Sequence, residues 1–169
     1  MRLLVQAATA LLLLALQAAL QRHLGGGVAT ACLLAPMVVH LAHSAGNVEG
    51  ALGAALLGAL LDVSAGTPAG LFTGLAVAAF LGVRLVGAAV DLRGPLGFAA
   101  LSGAAALTLS AGAVALQRLG AAPEVRPSWG LLPRLLVEAV LTALCAPLLL
   151  RLLRRLDAWL GAEEPDLIR

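Results

Sequence analysis

Four ionisable side chains, His40, His43, Glu49 and Asp62, fall close together in the chain and have the residue types of a zinc or non-haem iron centre. The two histidines stand at i and i+3 and nearly share one helix face. The pattern stops short of a centre, because HExxH and paired-cysteine motifs are absent and a helix running from the histidines to Asp62 would separate them by roughly 20 Å. Hydrogen-bonded or solvated histidines are expected, with no metal and no cofactor. Ser64 follows Asp62 by two residues, but a nucleophilic serine needs a base held by a third group, and GxSxG is also missing. No catalytic residue is expected. Arg134 and Glu138, at i and i+4, can form an intramembrane ion pair on one helix face; a structural and a functional role for that pair are both open. Cys32 and Cys145 lie in apolar runs and read as packed thiols.

The elements that position these residues belong in lipid. Hydrophobic residues are 61% of the 169-residue chain and charged residues 12%, and mean hydropathy is +1.00, beyond the range of an ordinary soluble domain. At about 20 residues per crossing there is room for six or seven spans. The eleven basic residues are all arginine and sit at the ends of apolar runs, as membrane anchors do, and not in a cluster interleaved with aromatics as in nucleic-acid binding.

In chain order, Leu3 to Leu20 forms a first helix closed by Gln21, Arg22, His23 and Gly25 to Gly27. A second runs from Val28 to about Leu41 with Pro36 as a kink. The third covers about Gly46 to Val63, with Glu49 in its first turn and Asp62 in its last. A turn at Ser64 to Pro68 leads into the fourth, which begins at Pro68 and ends at Val83 or Val90 depending on whether Arg84 snorkels. Asp91, Arg93, Gly94 and Pro95 turn the chain into a fifth helix, Pro95 to Gln117. After a polar connection carrying Trp129, placed for an indole at headgroup level, the sixth covers Leu131 to Leu150. The expected fold is therefore all-α and polytopic, with one six-helix transmembrane domain over residues 1–150. Residues 151–169 are expected to form a cytoplasmic amphipathic segment and tail. There Leu152, Leu153, Leu156, Trp159 and Leu160 oppose Arg151, Arg154 and Arg155, so the segment is expected to lie on an anionic membrane surface, with these arginines and Trp159 as its anchor.

With six crossings, Arg2, Arg84, Arg93, Arg151, Arg154, Arg155 and Arg169 share one side, and Arg22, Arg118, Arg126 and Arg134 the other. Seven against four places both termini in the cytoplasm.

Small residues recur every fourth position before Asp62 (Gly46, Gly50, Ala54, Gly58) and after it (Gly66, Gly70, Gly74, Ala78, Gly82). In lipid such rows let helix backbones approach closely. Gly50, Gly58, Gly70 and Gly74 are the expected packing positions, either between helices three and four or against a partner helix. Asp62 itself sits at the unfavourable C-terminal end of a helix dipole. Donors at the start of helix four would resolve this, so Asp62, with Ser64, Gly66, Thr67 and Pro68, is expected to organise the hairpin.

The order of a small-residue helix, then LLDVSAGTPAG, then another apolar helix resembles MreD, the rod-shape-determining membrane protein family of bacteria. Gly50, Gly53, Gly58, Asp62, Ser64, Gly66, Thr67, Pro68 and Gly70 carry the resemblance, and the helix count extends it loosely over the whole chain. It implies a non-enzymatic inner-membrane component of the cell-elongation machinery. Such a protein would bind MreC and link MreB filaments to the glycosyltransferase RodA and its transpeptidase partner. The resemblance also implies a fold similar to the six-helix substrate-binding subunit of energy-coupling-factor transporters. A vitamin-capture subunit of such a transporter is the alternative, with Trp129, Asp62, Glu138 and Arg134 as the polar groups at its outer side.

Overall fold

In the computed structural model, residues 2–24, 32–65, 69–89, 94–120 and 131–159 are described. They form six α-helices and, among the described residues, no strand: α1 (Arg2–Leu24), α2 (Ala35–Ser44), α3 (Asn47–Ala65), α4 (Leu71–Ala89), α5 (Pro95–Gly120) and α6 (Leu132–Trp159). Three are long and apolar enough to cross a membrane, over Asn47–Ala65, Pro95–Arg118 and Leu132–Arg155, while Ala8–Ala19 and Leu71–Gly87 are shorter apolar stretches. Large apolar side chains cover the outside, among them Leu85, Leu144 and Leu148, each at least 70% exposed. In water such a surface would be costly; in lipid it is the ordinary exterior.

The shortest helix lies at the centre. α2 packs on α3, α4, α5 and α6, whereas α1 packs on α3 at the edge. Every residue from Cys32 to Leu41 is buried, and all of them but His40 are apolar. Leu34, Met37, Val38 and Leu41 join Leu57 of α3 and Phe80 of α4 in one core cluster. Ala35 and Val39 join Ala76 and Val83 of α4, Phe98, Leu101 and Leu109 of α5, and Ala146 of α6 in a second.

The pairs α3–α4 and α5–α6 pack most extensively, and glycines admit the close approach. An added Cβ at Gly50 would come within 2.5 Å of the Phe80 ring, and one at Gly53 within 3.1 Å of Leu41. One at Gly112 of α5 would come within 2.5 Å of Leu75, and one at Gly103 within 3.1 Å of the Ala139 carbonyl on α6.

Several helix limits differ from the sequence expectation. The second helix begins at Ala35, not Val28, and Pro36 occupies its first turn instead of kinking its middle. A proline there lacks an N–H that would have no intrahelical partner anyway. With 10 residues α2 is about 15 Å long, half a hydrocarbon core. The fourth helix begins at Leu71, not Pro68, because Gly70 holds φ +97°, outside helical space. The sixth continues unbroken through Leu150 to Trp159, with Pro147 inside it. Its end also faces differently: Leu153 is 5% exposed and turned into the bundle, not onto a lipid-facing side with Leu152.

Candidate functional site

Asp62 is 5% exposed, three residues before the end of α3. Its Oδ1 accepts a hydrogen bond from the Phe72 N–H at 2.7 Å. Its Oδ2 accepts from the N–H groups of Gly70 at 2.9 Å and Thr73 at 3.2 Å, and from the Thr73 hydroxyl at 2.8 Å. The N–H groups of a first helical turn have no intrahelical acceptor, and a side chain at the cap position usually takes one of them. Here the cap position is Gly70, which has no side chain, and the acceptor comes from the neighbouring helix. Burial at the carbonyl end of α3 disfavours the carboxylate, whereas the N-terminus of α4 favours it.

Gly58, one turn earlier, brings the helices close enough for this. A Cβ there would lie 2.5 Å from the Phe72 carbonyl oxygen and 2.5 Å from the Thr73 Cα. Backbone therefore meets backbone at Gly58, and the first turn of α4 is held within reach of the carboxylate. Gly70 supplies the remaining condition, a left-handed φ that costs other residues about 1 kcal/mol or more.

The other residues singled out from the sequence fall in different places. Ser64 is exposed, and its hydroxyl donates to the Leu61 carbonyl at 3.1 Å, within its own helix. Gly66, Thr67, Pro68, Arg93 and Trp129 lie outside the described residues, as do Gly25 to Gly27 and the tail from Leu160. Gly50 and Gly58 face inward. Gly70 is in the turn, not in a helix row, and Gly74 is exposed with no atom within 4 Å of an added Cβ. Glu49 is exposed, as is His43, whose Nδ1 lies 2.8 Å from the Val39 carbonyl, while His40 is buried. Among the described residues, no three histidine, cysteine or carboxylate side chains gather into a metal-sized group.

Glu138 is half-buried and accepts a hydrogen bond from the Ser110 hydroxyl of α5 at 2.9 Å. Arg134, one turn before it on α6, is exposed and within electrostatic reach. The next turn of α6 carries Thr142, fully buried, whose hydroxyl donates to the Glu138 carbonyl at 2.8 Å and accepts from the Cys32 N–H at 2.9 Å. Gln17 of α1 accepts from the Leu33 N–H at 3.2 Å. Side chains of two other helices thus satisfy the N–H groups leading into α2. At the opposite end of α2, Arg84 donates to the Ala45 carbonyl at 2.9 Å, with its guanidinium carbon 5.7 Å from the centre of the Phe80 ring.

Sequence reasoning missed Thr73, Thr142, Ser110 and the use of Gln17. The available signal was a polar residue within an apolar run, which marks a buried hydrogen bond without naming its partner.

Four donors converge on the Asp62 carboxylate and tie the end of α3 to the first turn of α4. No protein-family model, curated protein or solved structure matches this chain.

Proposed function

We propose that this chain is a non-enzymatic, multi-pass component of the bacterial inner membrane that acts in cell elongation as an MreD-type scaffold. In this reading it crosses the membrane six times with both termini in the cytoplasm, in a fold similar to the substrate-binding subunit of energy-coupling-factor transporters. It binds MreC and through it joins RodA, the transpeptidase and MreB. The observation that supports the reading most is the unit formed by Gly58, Asp62 and Gly70. These residues carry the resemblance in sequence, and they come together in one fastening between two apolar helices. Gly50 and Gly53, which carry it too, are the holes that receive Phe80 and Leu41.

The test is affinity capture of the full chain from gently solubilised native membranes, followed by identification of what accompanies it. Recovery of MreC with RodA or the transpeptidase is expected, and Asp62→Ala should reduce it. Recovery of transporter ATPases without any of them would overturn the proposal in favour of the vitamin-capture reading.

A further inference from the structure

The end of α6 carries more positive charge than its own bundle uses. α6 has 28 residues and is about 42 Å long, against a hydrocarbon core of about 30 Å, so about 12 Å of it lies beyond the core. The charges locate the emerging part. Arg151, Arg154 and Arg155 stand in the last turns and are all exposed, whereas Ala139 to Leu150 contains no charged residue.

Their direction follows from helical spacing. Ala146, Leu149 and Leu153 are buried and mark the side of α6 that faces the bundle. At 100° per residue, Arg151, Arg154 and Arg155 cluster on the opposite side, at i, i+3 and i+4. Arg84 of α4, by contrast, is turned inward, where the Ala45 carbonyl and the Phe80 ring receive it. The three α6 arginines have the reverse disposition and point away from the protein, at the level where α6 leaves the hydrocarbon. Like charges at this spacing repel one another. The C-terminal helix dipole offsets only part of that. A planar guanidinium fork suits a phosphate oxygen pair better than an ammonium does.

We infer that this outward face of α6, formed by Arg151, Arg154 and Arg155, selects anionic phospholipid headgroups from the leaflet into which the helix emerges. The inference rests on membrane insertion of α6 and is independent of any elongation partner. An unbroken helix with Leu153 held in the core also distinguishes it from a segment lying flat on the surface. The arginines would order a shell of lipid beside a fixed helix.

The experiment uses the full-length protein reconstituted in vesicles of phosphatidylcholine with a trace of spin-labelled phosphatidylglycerol or spin-labelled phosphatidylcholine. The motionally restricted fraction of each label gives its relative association with the protein. Wild type is expected to favour phosphatidylglycerol by about three-fold or more at low salt, with the preference falling as salt rises. R151Q/R154Q/R155Q should bring the ratio close to one, and R151K/R154K/R155K should keep part of it. Because all three side chains are exposed, helicity by circular dichroism should be unchanged, which separates lost selectivity from lost structure. Equal association of both labels in wild type would overturn the inference, as would a preference that survives the glutamine substitutions. So would binding of a soluble acidic protein by the arginines without lipid selectivity.

Discussion

The start of α4 is capped by a carboxylate, whereas the two residues leading into α2 are held by neutral oxygens, and in both places the acceptor comes from another helix. At α4, Asp62 accepts from three backbone N–H groups and a hydroxyl. At α2, Gln17 and Thr142 each accept from one backbone N–H. Position along the helix differs as well: Asp62 is within one turn of the end of α3, whereas Thr142 lies about 15 Å along α6, inside an apolar stretch where a charge would be expensive and a hydroxyl oxygen is not. A charged acceptor can collect several donors and so set an angle between two helices. A neutral acceptor satisfies a donor and leaves orientation to packing.

The comparison predicts that the α3–α4 fastening carries more stability than the α2 seam, and Gly58 provides its hardest test. In Gly58→Leu the new side chain would meet the backbone of Phe72 and Thr73, which cannot move aside as a side-chain end can. A loss of more than about 3 kcal/mol is expected, or failure to insert stably, read as the midpoint of unfolding in mixed detergent micelles. A tolerated Gly58→Leu would mean that the two helices are not in backbone contact there.

Asp62→Ala is next, leaving the part-buried donors on Gly70, Phe72 and Thr73 without their acceptor. The expected cost is about 3 kcal/mol by the same titration. Asp62→Asn should cost about 1–2 kcal/mol, since an amide keeps one acceptor oxygen but turns an NH2 toward N–H groups. An Asp62→Asn variant as stable as wild type would show that charge is irrelevant and would erase the contrast with α2. Gly70→Ala separates backbone strain from packing in the same turn. No atom lies within 4 Å of its added Cβ, so the expected loss of about 1–2 kcal/mol comes only from φ +97°.

The two fastenings also differ in how much of each could be read from the sequence. Asp62 meets donors 8 to 11 positions away, across one turn. A carboxylate ending an apolar helix, before a glycine-rich turn and another helix, is a local pattern with a local remedy. The Cys32–Thr142 bond spans 110 positions and the Gln17–Leu33 bond 16, and neither partner has a residue type that names the other. The apolar runs and all-helical class follow from composition. The central place of α2 does not, because Val28 to Leu41 looks like any other hydrophobic stretch, and the side chains that hold Cys32 and Leu33 arrive from α6 and α1. Gly50 and Gly74 illustrate the same limit, belonging to one kind of four-residue row while only Gly50 has a ring filling its space.

The α2 seam is expected to be the softer of the two. Thr142→Val keeps the shape, removes the acceptor of the Cys32 N–H and the donor to the Glu138 carbonyl, and should cost about 1 kcal/mol. Faster amide exchange at Cys32 and Leu33, with little change along α3 and α4, would place the effect. A loss as large as that of Asp62→Ala would instead make the central helix the main fastening and reverse the ranking.

The smallest effect is expected at Gly74, and it bears most directly on function. The side chain added in Gly74→Ala meets no atom within 4 Å, so the variant should be as stable as wild type or more stable by up to about 0.5–1 kcal/mol, the helix-propensity gain. Gly74→Ile adds bulk on the same exposed face without touching Gly70, whose backbone would confound the result. If the face meets only lipid, Gly74→Ile leaves both unfolding and partner capture as in wild type. If a partner helix packs there, capture falls while the unfolding midpoint stays. That second pattern would assign the inward glycines to the fold and the outward ones to recognition; a fall in both would mean that α4 is more deeply packed than its exposure indicates.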